Sequence, residues 1–241
     1  KTFIARKTLL REKDPNTQYK VLLGLAEDYP SPRKEMEKAA IAAAFGKMKQ
    51  GDYVKFLEDA LQKDPGNPDI LLQLVSQAMT ARDWTRANKY AELGGKANVD
   101  GCGGKFLRMR VDTAREEYDA VIATGLEILK QEPNRKDVRC LLAHAYLRKK
   151  FFDQAYAAFK LAYDVDPGYA PALVGLAAVT DRAALNKEME HEGYVSAAYR
   201  IVPNDQYIRD EWMALQEEKG SPEELIKKRE RALQQNPNDI K

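Results

Sequence analysis

Five prolines impose a period on this chain. Pro133 and Pro167 are 34 positions apart, Pro65 lies twice that interval before Pro133, and Pro203 and Pro237 are again 34 apart. Between Pro167 and Pro203 the step is 36, which places a two-residue insertion in that period. The open lattice points fall at Val99, just before Asp100-Gly101, and at Ser31, between Pro30 and Pro32. A fixed period of this size signals stacked supersecondary units, each unable to bury its apolar face alone. Asp64-Pro65, Asp166-Pro167 and Asn236-Pro237 read as helix stops, because proline cannot continue a helix.

Each period holds two amphipathic stretches, most clearly over 136–169. The first half places Leu142, Ala143 and Tyr146 on one helical face; the second places Phe152, Ala155, Phe159 and Ala162 on one face, followed by Asp166-Pro167. This pattern resembles the tetratricopeptide repeat: Leu, a small residue and Tyr on a first helix, then Ala, Phe and Ala on a second, then Pro. The resemblance extends to Leu71, Leu74, Val75, Ala78, Trp84, Ala87 and Ala91 in 68–101, and more weakly to Met109, Tyr118, Val121 and Ile128 in 102–135. It continues through Leu173, Leu176 and Ala177 in 170–205, with a longer turn or second helix around Leu185, and through Trp212, Met213, Leu225 and Ala232 in 206–241. In 34–67, Gly51-Asp52-Tyr53 sits about three residues late, which predicts a longer first helix and a shorter second. Residues 1–33 read as a degenerate pair with Tyr19, Leu23 and Ala26 on its second helix. The resemblance thus implies an all-α, right-handed superhelical solenoid of about seven antiparallel helix pairs. It would form a single domain over 1–241, with repeats at 1–33, 34–67, 68–101, 102–135, 136–169, 170–205 and 206–241.

Composition narrows the function classes. Thirty-nine Lys and Arg against 37 Asp and Glu leave a formal charge of +2, which disfavours a strongly basic nucleic-acid binder. The first 49 residues carry 11 Lys and Arg against 6 Asp and Glu, an excess read as a solubilising face rather than an RNA surface. No apolar run approaches the ~20 residues that span a bilayer. Two Cys and two His exclude a disulfide scaffold and a Cys/His-rich zinc site. Cys102 and Cys140 are expected to be free thiols, which favours a cytoplasmic setting. The start at Lys1 rather than Met suggests a processed or excised piece, and the charged segment from Glu223 to Arg231 would serve as a solvated cap.

No motif for catalysis or a cofactor holds up. Gly101-Cys102-Gly103-Gly104-Lys105 evokes a phosphate loop, but Val99 stands where the first Gly belongs and Phe106 where a Ser or Thr must reach magnesium. The segment reads instead as an inter-repeat turn needing positive φ, and Gly94-Gly95-Lys96 as a helix end. Glu188, His191 and Glu192 share a helical face, but Val195 replaces the second His of the zinc-protease pattern. A di-iron bundle would need a second Glu-x-x-His motif and two more Glu. That face reads as solvated charge, with no metal, no cofactor and no catalytic residue.

In the resembled family, residues of the first helices that face inward bind ligands. Carried onto this chain, that implies a concave groove lined by Leu72, Gln73, Ser76, Met79, Phe106, Arg110, His144, Leu147, Arg148 and Arg182, with Cys140 and Glu211 among the further lining positions. The mix of apolar and guanidinium groups suits a peptide or protein partner bearing acidic and apolar side chains. The family's clamp for chaperone C-termini requires Asn and Lys where this chain has Leu72, Ser76, Phe106, Arg110, Cys140 and His144, so that ligand is disfavoured. The reading is a non-catalytic protein–protein interaction scaffold. Its rivals are a self-assembling structural scaffold and the interaction arm of a larger enzyme or signalling protein.

Overall fold

The computed structural model describes residues 14–29, 33–97, 102–181 and 184–219. These are helical with short connections, and among the described residues there is no strand. The chain divides into two compact units, 1–116 and 117–241. The first contains α1 (Pro15–Ala26), α2 (Arg33–Ala44), α3 (Gln50–Lys63), α4 (Pro68–Thr80), α5 (Trp84–Ala97) and α6 (Gly103–Ala114). The second contains α7 (Tyr118–Gln131), α8 (Lys136–Arg148), α9 (Phe152–Val165), α10 (Ala170–Thr180), α11 (Glu188–Ile201) and α12 (Gln206–Lys219). Within each unit, consecutive helices pack on one another.

The proline lattice marks where second helices end. α3 stops at Lys63, α7 at Gln131, α9 at Val165 and α11 at Ile201, each two residues before its lattice proline. The Asp-Pro stops at 64–65 and 166–167 are therefore observed, while Asn236-Pro237 lies outside the described residues, as do Ser31, Val99 and the segment from Glu223 to Arg231. The next helix then needs its own start. Asn67 caps α4 by accepting from the backbone N–H groups of Asp69 (3.0 Å) and Ile70 (3.1 Å), with Pro68 at the first helical position.

A second lattice emerges from the backbone. Arg82, Glu116 and Lys150 all have positive φ (54°, 63° and 63°) at 34-residue intervals, and Asn186 (52°) follows after 36. Each stands two residues before a second helix, where a left-handed residue lets the chain reverse. The Asp83 N–H then reaches back to the Ala78 carbonyl (2.8 Å), and the Phe151 N–H to that of Tyr146 (2.9 Å), which satisfies the last helical carbonyls. These side chains carry a Cβ, so the conformation is unfavourable by about 1 kcal/mol. Part of that is offset because glycine has more conformational entropy to lose on folding. Lys150→Gly is expected to raise stability by roughly 0.5 kcal/mol. A thermal melt checks it, since a lowered midpoint would show that the Lys150 side chain contributes more than its backbone conformation costs.

The cores bear out the repeat faces read from sequence except at Met213, which is half exposed, and at Leu225 and Ala232, which lie outside the described residues. In the first unit Leu57, Leu74, Val75 and Ala87 are fully buried, joined by Leu71, Ala78, Ala91 and Tyr90. In the second, Ala143, Ala155, Phe159, Ala162, Ala172 and Leu176 form one cluster, and Leu173, Ala177, Val195, Ala198 and Ile208 another. Alanines at these positions let helices approach closely, and Phe159 fills the space they leave.

Three local expectations are corrected. In the second repeat the first helix is not longer nor the second shorter: α2 has 12 residues and α3 has 14. α3 begins at Gln50, in lattice register with Trp84, and the slack is taken by residues 45–49, which include Gly46 at a φ of 65°. Gly103 and Gly104 do not supply a positive φ; they open α6 in helical conformation, while Gly101 lies outside the described residues. Gly104 is required for proximity instead, because a Cβ there would overlap the backbone N and Cα of Gly95 in α5. Finally, the face of Glu188, His191 and Glu192 is not simply solvated, since His191 is only 7% exposed. The longer turn near Leu185 is observed, between Thr180 and Glu188.

Candidate functional site

Each unit presents its own subset of the groove positions. In the first unit, Leu72, Gln73, Ser76 and Met79 lie on α4, and Phe106 and Arg110 on α6. Leu72 and Met79 are half-buried against the core, so much of their apolar surface is already spent. Gln73 receives a long hydrogen bond from the Tyr53 hydroxyl (3.5 Å). The Ser76 hydroxyl donates to the Leu72 carbonyl (2.8 Å) and accepts from Arg110 Nη2 (3.2 Å). That last bond links equivalent positions of adjacent first helices, 34 residues apart. Burial disfavours the Arg110 charge and moves its pKa below the ordinary arginine value.

In the second unit, His144, Leu147 and Arg148 lie on α8. Leu147 packs against the core, while His144 and Arg148 are exposed. Arg148 Nε donates to the Tyr118 hydroxyl (3.0 Å), and its guanidinium stands over the Tyr118 ring at 5.9 Å. His144 meets the same ring edge-on, with centroids 6.3 Å apart. The result is a small platform with an aromatic floor and cationic edge. Cys140 is not part of any groove: it is buried in the core, where burial pushes its thiol up to about 12. Both cysteines are reduced thiols outside any disulfide, as expected. Arg182 lies outside the described residues.

The sequence reasoning passed over a third constellation, also in the second unit. A cleft of about 290 Å³ is lined by Thr180, Asp181, Glu188, His191, Glu192 and Glu211, among others. His191 Nδ1 is 2.9 Å from the Ala177 carbonyl, and Nε2 is 3.2 Å from Glu211 Oε2. The cleft exists because the turn after α10 is longer than in the other repeats and Asp181 leaves the helix with extended geometry (ψ 157°). The 36-residue step between Pro167 and Pro203 was the signal in the sequence that could have pointed to it.

Comparison with solved structures places this arrangement. The chain is similar to a tetratricopeptide repeat protein from Parabacteroides merdae, with 11% identity, 87% of this chain and 88% of that one covered, and a TM-score of 0.64. It is also similar to yeast Tom70, with 17% identity and a TM-score of 0.63, over 85% of this chain but 44% of that one. No protein-family model matches the chain. No curated protein matches it either. At identities this low the shared property is the fold, and the helix lattice, the buried Ala and Phe positions and these neighbours agree on it: the chain has the tetratricopeptide-repeat fold.

Proposed function

We propose that this chain is a non-catalytic protein-binding scaffold whose first helices hold a peptide or protein segment with acidic and apolar side chains. The observation that carries the reading is the Arg148 guanidinium held on Tyr118 at the surface of α8, beside His144. A guanidinium positioned by an aromatic ring offers bidentate contacts to a carboxylate with less ordering cost than a mobile one. In the first unit, Arg110, Phe106 and Gln73 supply a second surface of the same composition. Among the described residues no helix is long and apolar enough to cross a membrane.

The test is selection of a random peptide library on the wild-type chain, followed by anisotropy titration of the enriched peptides. These are expected to be rich in Asp, Glu and large apolar residues. Arg148→Ala should weaken them by about 1.5–3 kcal/mol, a factor of roughly 10 to 100. Arg148 is the cleaner site for this test. Arg110 is half-buried and bonded to Ser76, so reversing its charge would place a carboxylate in a poorly hydrated spot and disturb the helices. Peptides that bind Arg148→Ala and Arg110→Gln as tightly as wild type would overturn the groove assignment. Sedimentation across a wide concentration range separates this reading from a self-assembling scaffold, since a persistent monomer is expected.

A further inference from the structure

We infer that Asp181, His191 and Glu211 form a binding site for a divalent first-row transition ion of the zinc class, independent of the peptide surface above. The three come from separate places: the end of α10, the first turn of α11 and the middle of α12. One ligand atom from each lies within 4.8 Å of the others. Around a zinc ion with bonds of ~2.0–2.2 Å, tetrahedral ligand atoms stand about 3.3 Å apart. His191 Nε2 and Glu211 Oε2 are already at 3.2 Å, and the Asp181 carboxylate stands within 4.8 Å of both.

The state of the imidazole makes the case stronger than proximity alone. The Ala177 carbonyl can only accept, so Nδ1, 2.9 Å away, must carry its hydrogen. That backbone bond fixes the tautomer and ring orientation, as the outer partner of a metal-bound histidine does. Nε2 is the ring atom left to face the Glu211 carboxylate, in the position of a ligand to a shared ion. Glu188 and Glu192 line the same cleft. One imidazole and two carboxylates, with no thiolate, suit zinc, cobalt or manganese rather than copper(I) or an iron–sulfur cluster. The ion would join three helices of the last repeats and stabilise them by mass action.

The experiment titrates Co²⁺ into the full chain, reading visible absorption, and then displaces it with Zn²⁺. The expected result is saturable one-to-one binding with d–d bands and no sulfur-to-cobalt charge-transfer band. Glu211→Gln, which keeps the size and a hydrogen bond to His191, and His191→Gln, whose amide can still reach the Ala177 carbonyl, should each weaken binding at least tenfold. Cys102→Ser and Cys140→Ser should leave it unchanged. Zinc should raise the thermal midpoint of wild type but not of Glu211→Gln. Absent saturation, a sulfur charge-transfer band, or equal binding by wild type and Glu211→Gln would each overturn the site.

Discussion

Gly104→Ala is expected to destabilise the first unit by about 3 kcal/mol or more, against the usual trend. Replacing a helical glycine by alanine normally gains up to ~1 kcal/mol through propensity. At Gly104 the added Cβ would overlap the N and Cα of Gly95, and it would stand 2.9 Å from the Gly94 carbonyl carbon. All three atoms are backbone, so no side chain can rotate away to make room. Relief requires α5 and α6 to separate, and that opens the contacts of Leu107 and Val111 with the core around Leu71 and Leu74. Urea denaturation followed by circular dichroism is the measurement. Unfolding of the variant should begin at distinctly lower urea, and an unchanged or higher midpoint would show that α5 and α6 are not in backbone contact.

Gly175→Ala should likewise destabilise the second unit, by about 2–3 kcal/mol. Here the obstacle is a side chain: the Cβ would overlap three ring atoms of Phe159, and that ring is 3% exposed. The ring is packed in one buried cluster with Ala155, Ala158, Ala162, Ala172 and Leu176, so moving it aside disturbs that packing. A ring, unlike a backbone, can be exchanged. Phe159→Leu in the Gly175→Ala background should therefore recover part of the loss, and the double-mutant cycle should give a favourable coupling of about 1 kcal/mol or more. Gly193→Ala is the internal control. Gly193 is an exposed α11 position with nothing within 4 Å of the added Cβ, so a gain of roughly 0.5–1 kcal/mol is expected there. If both alanines act alike, propensity alone governs these helices and the close packing of Gly175 on Phe159 is not real.

These glycines show how differently two kinds of information are carried. Phe159 could be picked out from its neighbours Ala155 and Ala162 because helical periodicity is a short-range property. The same periodicity made the helix stops at Asp64-Pro65 and Asp166-Pro167 and the buried faces legible. Gly103 and Gly104 misled because a glycine can answer two needs, positive φ or a close neighbour, and local sequence does not distinguish them. The neighbour is Gly95, on another helix. The late Gly51-Asp52 misled for a related reason. It was read as a turn signal, although the turn had already been closed by Gly46 and the extra residues absorbed ahead of α3.

The candidate sites divide along the same line. That Arg110 and Arg148 would occupy the surfaces of first helices followed from the repeat register, which position along a helix determines. Which of the lining residues remain available did not follow. Leu72, Met79 and Leu147 give surface to the core and Cys140 is buried in it, because a flank's exposure depends on how far the next helix covers it. His191 is the sharpest case. Its sequence neighbours Glu188 and Glu192 suggested a wetted charged face, yet the Ala177 carbonyl and Glu211 reach it from the helices before and after. The chain's own sequence determined the repeat length, the helix pairs and their buried stripes, since these depend on residues within a turn or two of one another. Only the tertiary structure decided where two glycines must touch and where a histidine meets two carboxylates, since those distances are set by the packing of helices that the 34-residue register alone does not specify.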